Sequence, residues 1–170
     1  LEIDALYADI RNSRIIDNRA ERDGGGMEID ANHLVMDSML FADNYADEHG
    51  GGLYVEGQHI EITNSRFTTN EADSDGGGIY ADGEKIELNN IVIDSNESNN
   101  GGGVMAVCDT AFILKSLISG NEATRNYGGG VVAEGYVLVM DSCLVENNKI
   151  GDDGGGMYVE VDSVIIRKTS

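Results

Sequence analysis

Apolar residues along this chain fall in pairs two positions apart, and the pairs recur. Met27 and Ile29 are followed by Leu34 and Met36, Leu53 and Val55 by Ile60 and Ile62, and Ile79 and Ala81 by Ile86 and Leu88. A further apolar residue closes each set, at Ile15, Phe41, Phe67, Ile93, Ile118 and Val145. A spacing of two is strand periodicity, because successive side chains of a strand point to opposite faces. No stretch keeps a helical apolar stripe, and frequent Val and Ile without a single Pro agree with sheet.

The sets are punctuated by six Gly-Gly-Gly triplets, starting at Gly24, Gly50, Gly76, Gly101, Gly128 and Gly154, at intervals of 26, 26, 25, 27 and 26. Self-similarity at a fixed period of this size is the mark of a stacked repeat protein. We number each repeat from the first glycine of its triplet. Positions 4, 6, 11, 13 and 18 are then apolar columns, and position 21 is Asn wherever the repeat reaches it: Asn18, Asn44, Asn70, Asn96, Asn121 and Asn148. Each repeat predicts short strands near positions 3–7, 10–14 and 16–20, with corners between them. A strand triplet this small cannot bury its own face, but stacking turns every apolar column into a continuous core. The predicted fold is all-β: a right-handed parallel β-helix solenoid with about 26 residues and three short strands per rung. Crossover chirality favours the right hand. Rungs spaced ~4.8 Å apart would give a rod on the order of 30 Å long. Residues 1–170 form a single repeat domain, and the abrupt ends predict a stretch of a longer repeat protein.

The invariant columns have a mechanical reading. Identical Asn side chains on successive rungs can hydrogen-bond along the stack, as in cross-β ladders. Asn also tolerates the left-handed backbone that a corner needs, so the column predicts a structural ladder at αL corners. The glycine triplet predicts a tight corner with positive φ or close backbone approach.

Phe67-Thr68-Thr69-Asn70-Glu71-Ala72, followed by Gly76-Gly77-Gly78-Ile79, resembles the repeats of polymorphic outer-membrane proteins and related adhesins. Those repeats pair an FxxN motif with GGA followed by Ile, Leu or Val. Here the triplet is GGG, and Ile15, Ile93 and Val145 stand where that family has an aromatic residue. The wider class it resembles is that of extracellular right-handed β-helix repeat proteins. The resemblance implies a secreted or surface-displayed module acting as adhesin, stalk or fibre.

Charge narrows the partners. With 31 Asp and Glu against 11 Lys and Arg the formal net charge is -20, which opposes binding to nucleic acid or to an anionic membrane surface. No apolar run approaches a membrane span in length. The partners that remain are other protein chains, copies of this one, and glycans.

Two chemistries compete with a purely structural role. Parallel β-helices of the pectate lyase-like class bind or cleave polysaccharides with clustered carboxylates and a basic residue. Here His33, His59 and Lys85 share position 10 on successive rungs. The repeat length varies by one residue only, so no long loop builds a catalytic cleft, and the chain is expected to be non-enzymatic. The second chemistry is cation binding. Position 7 carries Asp4, Asp30, Glu56, Asp82, Glu134 and Glu160, and Asp23, Asp75 and Asp153 precede the triplets. Stacked carboxylates suit Ca²⁺, which makes Asp30, Glu56 and Asp82 candidate ligands, although no EF-hand or RTX loop is present. A solvated acidic face is the simpler account. Tyr54, Tyr80 and Tyr158 share position 5 beside these acids, either as a sugar-gripping surface or as ordinary cross-strand pairs.

The sequon Asn96-Glu97-Ser98 falls on the structural Asn column, so it is read as coincidence. Cys108 and Cys143 fall on different sides of the coil and are expected to be free thiols. The outward positions 5, 12 and 14 are mostly polar in the first four repeats, then turn apolar at Met105, Phe112, Leu114, Val132 and Val139, with Ile165 in the last repeat. Apolar patches on an acidic surface mark interfaces, so these residues are expected to meet another chain or segment.

Overall fold

The computed structural model describes residues 1–150 and 155–170; Asp153 and Gly154, singled out above, lie outside the described residues. The chain coils through parallel strands that stack into three sheets, one of seven strands and two of six. Each described rung pairs with the next at an offset of one repeat, as in Ile29 with Val55, Val55 with Ala81, and Ala81 with Ala106. The solenoid has about six turns of about 26 residues, with three strands per turn and no helix among the described residues.

The strand boundaries differ from the sequence expectation in an instructive way. The first two predicted strands form one continuous strand of eleven residues, such as Met27–Asp37 or Ile79–Asn89. Burial along Ile79–Asn89 alternates, slips where Glu84 and Lys85 are both at least partly exposed, and resumes in the opposite phase. At that slip Glu84 has no partner in either neighbouring strand, although Gly83 and Lys85 pair on both sides. The ladder bends there without breaking, so one hydrogen-bonded strand supplies two faces of the coil. The remaining strands are short, as in Arg66–Thr68 and Glu71–Ala72.

Left-handed backbone sits elsewhere than expected. The Asn column itself is not left-handed. Positive φ falls on the residue just before it, at Asp17, Asp43, Thr69, Ser95, Gly120 and Asn147. A second left-handed column precedes the short strands, at Asn12, Ser38, Asn64, Asn90, Lys115, Ser142 and Lys168. The turn residue is thus divided from the ladder residue: one bends the chain, and the next sends its amide inward.

The inward amides form an unbroken ladder. Asn70 donates from its backbone N–H to Asn96 Oδ1 at 2.9 Å, and from Nδ2 to the same oxygen at 2.9 Å and to the Phe41 carbonyl at 3.1 Å. Its own Oδ1 accepts from the Asn44 backbone N–H and Nδ2 at 3.1 and 2.8 Å. The same set of donations to the next Asn recurs from Asn18 through Asn121 to Asn148. Asn44, Asn70, Asn96 and Asn121 are at most 1% exposed, so only full pairing makes their burial tolerable.

The glycines belong to the same device. Gly50 has φ near 66°, and a Cβ on Gly52 would lie 2.6 Å from the Gly78 carbonyl oxygen and 3.1 Å from the Asn70 amide. Beyond that wall the apolar columns fill the coil, with Phe41 and Phe67 stacked at 4.8 Å. Stacking aromatic rings at rung spacing fills the interior without a void.

Candidate functional site

Interior chemistry is closed off, so functional side chains must come from the outer face of the long sheet and from the corners ahead of the glycine triplets. Column 7 is stacked in register as expected: Asp4, Asp30, Glu56 and Asp82 pair in sequence, Val107 interrupts, and Glu134 and Glu160 resume. At the first three rungs these acids line a cleft of about 210 Å³ with Glu2, Asp23, Glu28 and Tyr54. Burial, then Glu2 and Asp23, raise the Glu28 carboxyl above its ordinary value; burial and then Glu56 do the same to Asp82. The like charges therefore pay an electrostatic cost that a cation would relieve.

The expected Ca²⁺ ligands do not form a ligating cluster. Among the described residues the group with three ligating atoms within 4.8 Å of one another is Asp23, Glu48 and His49, at the corner. Asp30, Glu56 and Asp82 are spaced by the rungs along the ladder, which sets their separation by strand pairing and not by a shared ion.

The tyrosines do not stand free. Tyr54 and Tyr80 stack at 5.1 Å, and the His49 ring lies 5.0 Å from Tyr80. Tyr54 donates its hydroxyl hydrogen to Glu56, and burial pushes the Tyr80 hydroxyl up to about 12. Tyr158 stacks on Tyr127 at 4.3 Å. The corners ahead of the triplets thus fold back over the position-5 column.

That fold-back corrects the interface expectation at two residues. Met105 is 8% exposed and Val132 is 1% exposed. Gly128 lies directly on Val132, where a Cβ would come 2.7 Å from Val132 Cγ2. Neither residue is available at the surface. Phe112, Leu114 and Val139 are half-buried on the outer face. Phe112, Val139 and Ile165 pair in register, forming an apolar stripe across three rungs, and Ile165 is 36% exposed.

The stripe abuts the basic column. Lys85 Nζ stands 5.4 Å from the centre of the Phe112 ring. Glu87 Oε2 meets Lys85 Nζ at 2.9 Å and His59 Nε2 at 2.8 Å, while His33 and His59 have ring centres 6.2 Å apart. Hydrogen bonds from Lys85 and His59 outweigh burial and hold the Glu87 carboxyl below its ordinary value. An ionised carboxylate held by a lysine ammonium and an imidazole ring is a poor proton donor at neutral pH.

Asn96 is buried and its amide is fully engaged, so the sequon offers no accessible acceptor. Cys108 and Cys143 are free and buried; burial pushes Cys108 up to about 12 and Cys143 in the same direction. Glu48 and Glu28 were missed by the column reading. Glu48 shares its place in the repeat with Arg22 and Ser74, so its column repeats no acid; His49 shares its place with Asp23 and Asp75, where acids do recur.

A family model described as "Right handed beta helix region" matches residues 9–169. No curated protein and no solved structure matches the chain.

Proposed function

Because the chain belongs to the right-handed β-helix family, we propose that it is a non-enzymatic structural and adhesive module of an extracellular surface protein or filament. The observation that supports this most is the apolar stripe of Phe112, Val139 and Ile165 on the outer face of a chain with net charge -20. Solvent-facing strand positions that turn apolar on three successive rungs suit a protein partner or a second copy of this chain. Clefts at the acidic face, beside Lys115 and beside Tyr136 measure about 210, 300 and 330 Å³, at or below the low end of small-molecule sites.

The test is sedimentation of the wild-type chain against Phe112→Asp and Val139→Asp. Concentration-dependent association that both variants abolish supports the reading; a wild type that stays monomeric and binds no protein surface overturns it. The carbohydrate reading rests on one cluster, His59, Glu87 and Lys85. Cleavage or binding of acidic polysaccharide that Glu87→Gln abolishes would establish it instead.

A further inference from the structure

The corner that precedes the triplet at Gly50 gathers side chains that neither the ladder nor the apolar stripe uses. Asp23 and His49 occupy the same corner on successive rungs, with Glu48 beside His49. One ligating atom from each of the three lies within 4.8 Å of the other two. The geometry is held from several sides. The His49 backbone N–H donates to Asp23 Oδ1 at 3.1 Å, which fixes that carboxylate against the histidine. Tyr54 and Tyr80 flank the imidazole with ring centres 6.4 and 5.0 Å away. His49 Nδ1 is shielded from solvent and has no hydrogen-bond partner. Asp75 Oδ2 stands 3.3 Å from it, out of line for a hydrogen bond, while the other oxygen of Asp75 accepts from Asn100 Nδ2 at 2.6 Å. A partly buried imidazole with an idle ring nitrogen, set among three carboxylates, is an arrangement that hydrogen bonding alone does not explain.

We propose that Asp23, Glu48 and His49 form a binding site for a divalent transition-metal ion of the Zn²⁺ class. Imidazole nitrogen with carboxylate oxygen is a donor set that suits Zn²⁺, and three protein ligands leave one position for water. Ca²⁺ takes six to eight oxygen ligands, and a histidine at the centre works against it. Ligand atoms about 3.3 Å apart would satisfy tetrahedral Zn²⁺ bonds of about 2.0–2.1 Å. Asp23 also lines the acidic cleft, so the site lies at the edge of a surface of stacked carboxylates, which draws cations toward it.

Calorimetric titration of ZnCl2 into the tag-free chain, with CaCl2 as the comparison, tests this without any reference to assembly or adhesion. One Zn²⁺ per chain is expected. Glu48→Gln and His49→Gln should each weaken it by about tenfold or more, the loss that removing even a supporting partner brings. His33→Gln, on the far outer column, should change nothing. Glu48 is exposed, so the metal-free melting temperature of Glu48→Gln should match the wild type; if His49→Gln destabilises the fold, Glu48→Gln alone decides. Absence of Zn²⁺ binding, equal affinity in wild type and Glu48→Gln, loss in His33→Gln, or displacement by an equal concentration of Ca²⁺ would each overturn the assignment.

Discussion

Replacing Asn70 by Leu probes the ladder at its centre. The side chain's Oδ1 accepts two hydrogen bonds from Asn44, and its Nδ2 donates to Phe41 and Asn96. Leucine strips the Asn44 backbone N–H of its partner in a site that is 1% exposed, while the Phe41 carbonyl keeps its place in the ladder with Arg66–Thr68. Asn44 Nδ2 keeps its bond to the Ile15 carbonyl, and Asn96 Oδ1 keeps the Asn70 backbone N–H. One group is therefore left bare, at a cost of about 1–3 kcal/mol. For a chain of this size about 2–4 °C of melting temperature accompanies each kcal/mol. A fall on the order of 5 °C is expected. Asn18→Leu is the internal control. Asn18 is exposed, and Asn44 Oδ1 keeps its bond from the backbone N–H of residue 18, so at most about 0.5 kcal/mol is expected there. The chain has no Trp, so far-UV circular dichroism is the readout, with amide exchange at Asn44 as the local one. Equal melting shifts for Asn70→Leu and Asn18→Leu, or an Asn44 amide that stays protected in Asn70→Leu, would refute the reasoning.

Glu28 is raised by burial first and then by Glu2 and Asp23, so the folded state holds its proton above the ordinary 4.5 while the unfolded state has released it. Stability contributed by this group falls as pH rises through that window, and Glu28→Gln should raise the melting temperature at pH 7 but give no gain below pH 4.5. A gain that persists in acid would contradict this. Lys115 holds a left-handed backbone in the column that also contains Asn64 and Asn90, where Asn90 Nδ2 donates to Asn64 Oδ1 at 2.7 Å. Lys115→Asn relieves the backbone cost and extends that outer ladder, so a stabilisation of about 1 kcal/mol is expected in urea denaturation; a loss of stability would count against it. Both thiols should resist a disulfide-exchange reagent in the native protein and react only on unfolding, because burial keeps them protonated. Rapid native labelling of Cys108 would show that its rung opens.

The sequence made the core legible because stacking repeats the same demand at every rung. Ile60, Ile62, Ile86 and Leu88 are buried where alternation put them, and Asn44 and Asn70 carry the bonds that their column implied. What escaped lay where two physical rules overlap. The reversed phase around Glu84 looked like a break between strands, yet backbone pairing tolerates one unpaired residue and continues. The left-handed residue was placed on Asn70 when Thr69 holds it; Asp17, Asp43 and Asn147 in the same column were turn-prone signals beside a more conspicuous Asn. Met105 and Val132 alternate outward correctly, but alternation within a strand cannot see a corner folding over it. The convergence of Glu48 with Asp23 escapes a column reading because Glu48 shares its column with Arg22 and Ser74, so no repeated acid marks it.

The Asn-to-Asn bonds all run the same way: each Asn gives its backbone N–H and one amide hydrogen to the following Asn, and each bonded Oδ1 accepts from the preceding one. The rod is therefore vectorial. A further rung joined on the Asn18 side would have to present donors, and one joined on the Asn148 side would have to present acceptors. Two copies abutted tail to tail would set like poles against each other. Extension of such a rod has a sense of direction written into it, like that of a screw thread, and any longer fibre built on this pattern would be polar from end to end.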